Sequence, residues 1–110
     1  MAKALNRGEI WMYEFKAPDK QRPVLILTRQ EVIPLLETVM VAPITSTIRG
    51  APGEVELGVE EGLKHSSAAN LDHVQTIDKQ KLRRRLGQAG AAKMRDVCRA
   101  LSIAAGCSSG

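Results

Sequence analysis

Two short stretches hold residue types that could act together on a phosphodiester. Arg22 stands immediately before the apolar run PVLILT, residues 23–28, and Thr45, Ser46 and Thr47 follow the run TVMVAPI, residues 38–44. A guanidinium is planar, forked and always cationic, so it suits negative charge that builds up on phosphate. A hydroxyl donates to a phosphate oxygen. RNA asks for little more, because its 2′-OH is a built-in nucleophile held close to the phosphorus. Taken alone, the same residues read more simply as a solvated strand-edge charge and a polar turn.

Other chemistry is poorly represented. The chain has no GxGxxG, P-loop, HExxH or GxSxG pattern. His65 and His73 are separated by a turn, and nothing in their spacing brings them together. Cys98 and Cys107 form no CxxC, so neither a disulfide framework nor a zinc site is expected; Cys98 is expected to be packed and Cys107 to lie near a loose end. Arg83-Arg84-Arg85, with Lys79 and Lys81 nearby, reads either as a phosphate path or as alternate side chains of a short strand facing water and carboxylates. Trp11, Tyr13 and Phe15 share one strand face and are the chain's only aromatic residues, so core or dimer packing is a simpler reading than base stacking.

The elements that must position these groups are mainly strands. Runs at 9–15, 23–28, 38–44, 54–57 and 73–77, with a short strand near 83–88, are punctuated by turn signals such as Arg49-Gly50-Ala51-Pro52-Gly53. Their number and length predict a small barrel or sandwich. A short helix at 30–36 is cut by Pro34. Met94, Val97, Cys98, Leu101, Ala104 and Ala105 recur at helical spacing, which predicts an amphipathic helix over 91–105 that covers one face of the barrel. Gly90-Ala91-Ala92 offers it no side-chain N-cap.

At 110 residues the chain is read as one domain, residues 1–110. Its 16 Lys and Arg against 12 Asp and Glu give a formal charge of +4, which permits a polyanionic partner without requiring one. The N-terminus lacks a long apolar run, so no signal peptide and no membrane span are expected, and a cytoplasmic location is the default.

Several stretches together resemble the MazF/PemK toxin family: RGEIWMYEF, QRPVLILTR, TVMVAPITSTIRG, EVELGVEEGL and NLDHVQTIDKQKL, in that order over residues 7–106. The resemblance implies a small SH3-like β-barrel of the CcdB/PemK/MazF type with a C-terminal helix, working as a homodimer. It implies a toxin that cleaves single-stranded RNA at short sequences without a metal or other cofactor, leaves a cyclic phosphate and a 5′-hydroxyl, and is silenced by a cognate antitoxin. The family's catalytic Arg falls on Arg22 and its catalytic Thr on Thr45. Ser46 and Thr47 follow in the same motif as RNA contacts, and the family's base-reading pair falls on Asp72 and His73. The same barrel also serves CcdB-type toxins that bind gyrase and cut nothing; Arg22 and Thr45 together favour the nuclease. The first loop, KAPDKQ at 16–21, is shorter than in many members, and the helix lacks their Ser-Pro start.

Overall fold

The computed structural model describes residues 4–15 and 21–107. Seven antiparallel strands and one helix make up the regular structure: β1 (Glu9–Glu14), β2 (Gln21–Ile26), β3 (Thr38–Thr45), β4 (Glu54–Leu57), β5 (Ser67–Asn70), β6 (Gln75–Asp78), β7 (Leu82–Gln88) and α1 (Ala91–Ala104). The strands run in the order β4-β5-β3-β2-β1-β7. β3 is the hub. One of its edges takes β2, and the other takes β6 along its first half and β5 at its end.

The runs in β2 and β3 are continuous rather than alternating because both faces of these strands are covered. Val24 and Ile26 point into a cluster with Tyr13, Val39, Val41, Ile77 and Leu82. Leu25, Leu27, Ala42 and Ile44 point the other way, into a cluster with Ile10, Val55, Leu57, Met94 and Val97. A strand buried on both faces needs an apolar residue at every step. The three aromatics belong to the first cluster. Tyr13 is buried, and its ring meets Phe15 edge-on with centroids 4.6 Å apart, so this face is packed and is not a stacking platform.

α1 lays Met94, Val97 and Ala100 against the second cluster. The expected stripe needs correction at two positions: Cys98 and Ala105 are exposed, and Ala100 is buried instead. The buried residues step by three along the helix, and position 98 falls outside that seam. The Cys98 Sγ accepts a hydrogen bond from Arg7 Nη2 at 3.2 Å rather than packing in the core. Gly90 precedes the helix without a side-chain cap, as expected.

Other boundaries move for local reasons. The predicted helix at 30–36 is a single 3-10 turn, Ile33–Leu35, with Pro34 in its first turn. The run at 23–28 starts its strand two residues earlier, and its end is tied by Thr28 Oγ1, which accepts the Met40 N–H at 2.7 Å. The predicted strand at 73–77 begins only at Gln75, because the Asn70 side chain accepts the Asp72 N–H and caps a 3-10 turn over Leu71–His73. β5, with the sequence SAAN, is an additional strand. The loop at 16–21 falls mostly outside the described residues.

The two ends of the strand order are drawn together. After β4 the chain turns through Gly62, whose φ of +97° favours glycine, and a Cβ there would strike the Leu86 carbonyl of β7. Gly87 faces the same contact from the other side, since its own Cβ would strike the Glu61 carbonyl. The turn is closed by the buried Glu61, whose Oε1 accepts the Gly58 N–H at 2.6 Å. The segment 63–66 is therefore held against β7.

Candidate active site

β2 and β3 are paired with Val24 opposite Pro43. Arg22 and Thr45 lie just beyond this last pair, Arg22 paired with Tyr13 of β1 and Thr45 with Ala68 of β5. Arg22 and Thr45 line one cleft of about 300 Å³, together with Gln21, Pro23, Ile44, Ser46, His65 and Ser67. Arg22 is exposed and Thr45 half-buried, so both can meet a solute. The Thr45 oxygen accepts the Thr47 N–H at 3.1 Å. That bond fixes the side chain by its acceptor lone pair and leaves the hydroxyl hydrogen available to donate.

Two further clefts adjoin this one. A cleft of about 280 Å³ shares Thr45 and adds Thr47, Arg49, Glu54, Asn70 and His73. A third, of about 360 Å³, shares Pro23, His65 and Ser67 and adds Lys64, Arg84 and Arg85. The three form a continuous track with cations along its length and the Arg22–Thr45 pair at its middle.

Arg22, Thr45 and Ser46 come together in the central cleft. Thr47 and His73 lie in the second cleft, where His73 Nδ1 sits 2.9 Å from Asn70 Nδ2. Asp72 is exposed and lines none of the three clefts; its carboxylate occupies the space over Gly53, where a Cβ would collide with it. His65 and His73 do not form a pair, because they line different clefts on either side of Thr45.

The basic cluster divides. Arg83 Nε pairs with Glu14 at 2.7 Å, and Arg85 Nε with Glu9 at 3.1 Å, as the carboxylate-facing alternative held. Arg84 and Arg85 also reach the third cleft. Lys79 is buried, with its Nζ donating to the Ile33 carbonyl, and is withdrawn from any anionic ligand.

Glu9 anchors this edge. Burial would raise its carboxyl, but hydrogen bonds from Asn6, from Trp11 Nε1 and from Arg85 outweigh that and hold it below the usual carboxylate value.

The role of His65 as a lining residue of the Arg22–Thr45 cleft has no signal in its sequence spacing. It follows from the packing of Gly62 and Gly87, which turns the preceding segment toward the cleft. Arg49 and Lys64 join the track for similar tertiary reasons.

Residues 6–105 match the family model described as the PemK-like, MazF-like toxin of type II toxin–antitoxin systems. The chain belongs to this family. Among its relatives in the PemK/MazF family is a probable endoribonuclease MazF5 of Mycobacterium tuberculosis, 42% identical over 103 residues, covering 93% of this chain and 94% of the relative. Of solved structures, the M. tuberculosis toxin MazF-mt6 matches with a TM-score of 0.84 and 37% identity, covering 92% of this chain and 99% of that one. An endoribonuclease in complex with its cognate antitoxin, from a mycobacterial species, matches with a TM-score of 0.86 and 25% identity, covering 97% and 100%. The antiparallel sheet with a C-terminal helix is thus the architecture of MazF-like proteins.

Proposed function

We propose that this toxin is an endoribonuclease that cleaves single-stranded RNA by attack of the 2′-OH on the adjacent phosphorus, without a metal, to leave a 2′,3′-cyclic phosphate and a 5′-OH. The observation that carries the reading is that Arg22 and Thr45, from neighbouring strands, line one accessible cleft on a track of cations. Its relatives named as endoribonucleases support the same activity.

In this reading the scissile phosphate sits between the two strand ends. Arg22 grips its oxygens and stabilises the dianionic pentavalent phosphorane. Its N–H supplies the proton for the departing 5′-oxygen. The Thr45 hydroxyl donates to a non-bridging oxygen from a position already fixed by Thr47. Ser46 adds a second hydroxyl beside it, and Thr47 carries the contact into the second cleft. There His73 meets a flanking base, while Asp72 contributes from the adjoining turn. The chain works as a homodimer and is silenced by a cognate antitoxin; a similar mycobacterial endoribonuclease is solved in complex with its cognate antitoxin.

Purified protein is expected to cut single-stranded RNA in excess EDTA. Arg22→Ala and Thr45→Ala should each lower the rate at least about 10²–10³-fold, the usual cost of one transition-state donor. Both variants should keep wild-type circular dichroism and melting. RNA that stays intact with wild-type protein, accompanied by gyrase-linked DNA breaks, would replace the nuclease with a protein-binding toxin.

A further inference from the structure

The mechanism above needs an acceptor for the 2′-OH proton. We propose that this acceptor is the imidazole of His65, an assignment that rests on the nuclease reading and deepens it. Arg22 cannot serve, because a guanidinium already carries its full complement of protons and has no acceptor site. The other polar residues lining its cleft are Gln21, Thr45, Ser46 and Ser67, none of them a base near neutral pH. Among the described residues no carboxylate lines this cleft or the adjoining third one, whose other charged groups are Lys64, Arg84 and Arg85.

The alternatives on the far side of Thr45 are occupied. Glu54 Oε1 accepts the N–H groups of Arg49 and Gly50 at 3.0 and 2.9 Å. His73 is engaged with Asn70. His65 is exposed, and among the described residues its ring has no hydrogen-bond partner. Only its backbone is used, with the carbonyl accepting the Ser67 hydroxyl at 3.1 Å. On the other side, the turn locked by Glu61 and the Gly62–Leu86 approach holds the segment that carries it. The ring is thus both anchored and uncommitted.

The step balances. A neutral imidazole nitrogen takes the 2′-OH proton as the 2′-oxygen bonds to phosphorus. The bond from phosphorus to the 5′-oxygen breaks, and that oxygen leaves with a proton from Arg22. The imidazolium returns its proton to the guanidine through solvent, so the cycle ends with no net proton change.

The test is the pH–rate profile of single-turnover cleavage of a short single-stranded RNA by wild-type protein, His65→Ala and His65→Gln. A base acts only when unprotonated, so the wild-type rate should rise tenfold per pH unit on the acid side of the profile and then level off. Both variants should melt like the wild type, lose the rising limb and run at least about 10²-fold slower on the plateau. A substrate with sulfur as the 5′-bridging atom needs no protonation on departure, and His65→Ala should remain slow on it. Full recovery on that substrate would make His65 the acid and overturn the assignment. So would a His65→Ala variant that cuts as fast as wild type with its rising limb intact; that result would spare the nuclease reading. A wild-type chain that leaves RNA intact would sink both together.

Discussion

In the proposed mechanism Arg22 and Thr45 act as a pair, and each is held from behind. Arg22 is the second residue of a strand whose next residues, Pro23 and Val24, are fixed in the sheet, and Thr45 is tied by its own oxygen to the Thr47 N–H. Preorganisation of this kind spares the transition state the cost of gathering its donors. Both residues were legible from the sequence, since each ends a conspicuous apolar run. His65 was visible only as an isolated histidine. Its neighbours in the cleft come from β2, β3 and β5, and spacing along the chain carries no information about such a meeting. Glu9 makes a prediction at this scale. Its carboxyl lies below its usual value of 4.5 in the folded chain, so it stabilises the fold above about that pH, and this contribution is lost as pH falls through the folded value. Glu9→Gln should therefore flatten the stability–pH curve on the acid side. At neutral pH the fold should weaken by about 1.5–3 kcal/mol, measured by urea unfolding. A variant with an unchanged acid limb would show that the hydrogen bonds of Glu9 contribute nothing.

Elements follow the same logic at longer range. β2 and β3 could be read directly, because burial on both faces leaves an unbroken apolar signature. β5 could not. Its residues, SAAN, have little strand propensity and are extended because β3 and β4 flank them on either side. The helix was legible to within one residue at its end, but its exposed Cys98 was not, since a three-residue step and a four-residue step place different side chains at the seam. The missing cap at its start is a testable weakness. Gly90 has φ of −75°, and nothing lies within 4 Å of a Cβ built there. Gly90→Ser should therefore be accommodated without strain and stabilise the chain by about 0.5–1 kcal/mol, partly through the unfolded state. Gly62→Ala should do the reverse, costing about 1–3 kcal/mol through its left-handed backbone and the Leu86 carbonyl. Thermal melts of the two variants should shift in opposite directions; a neutral Gly62→Ala would contradict the closure between β4 and β7.

At the scale of the whole molecule, the +4 charge matters less than where the cations stand. Arg49, Arg22, Lys64, Arg84 and Arg85 border one track, whereas Arg83 is paired with Glu14 and lines none of its clefts. Composition could not separate these two groups; Arg83 falls in an irregularity of β7, unpaired between Arg84 and Leu82, and its guanidinium goes to Glu14. Binding of a non-cleavable RNA should weaken with salt, and Arg84→Ala should lower the slope of log affinity against log salt by about 0.7, the value for one phosphate on a single strand. Arg83→Ala should leave the slope unchanged. Equal effects from the two variants would mean that the RNA does not follow the track.

RNA cleavage at the Arg22–Thr45 cleft is tested most directly by mapping the ends of cleaved RNA. A labelled single-stranded RNA is incubated in EDTA with wild-type protein or Arg22→Ala, and both termini at each cut are identified. The expected result is a 2′,3′-cyclic phosphate facing a 5′-OH with the wild type, and uncut RNA with the variant. A 5′-phosphate at the cut, or wild-type cleavage by Arg22→Ala, would contradict it.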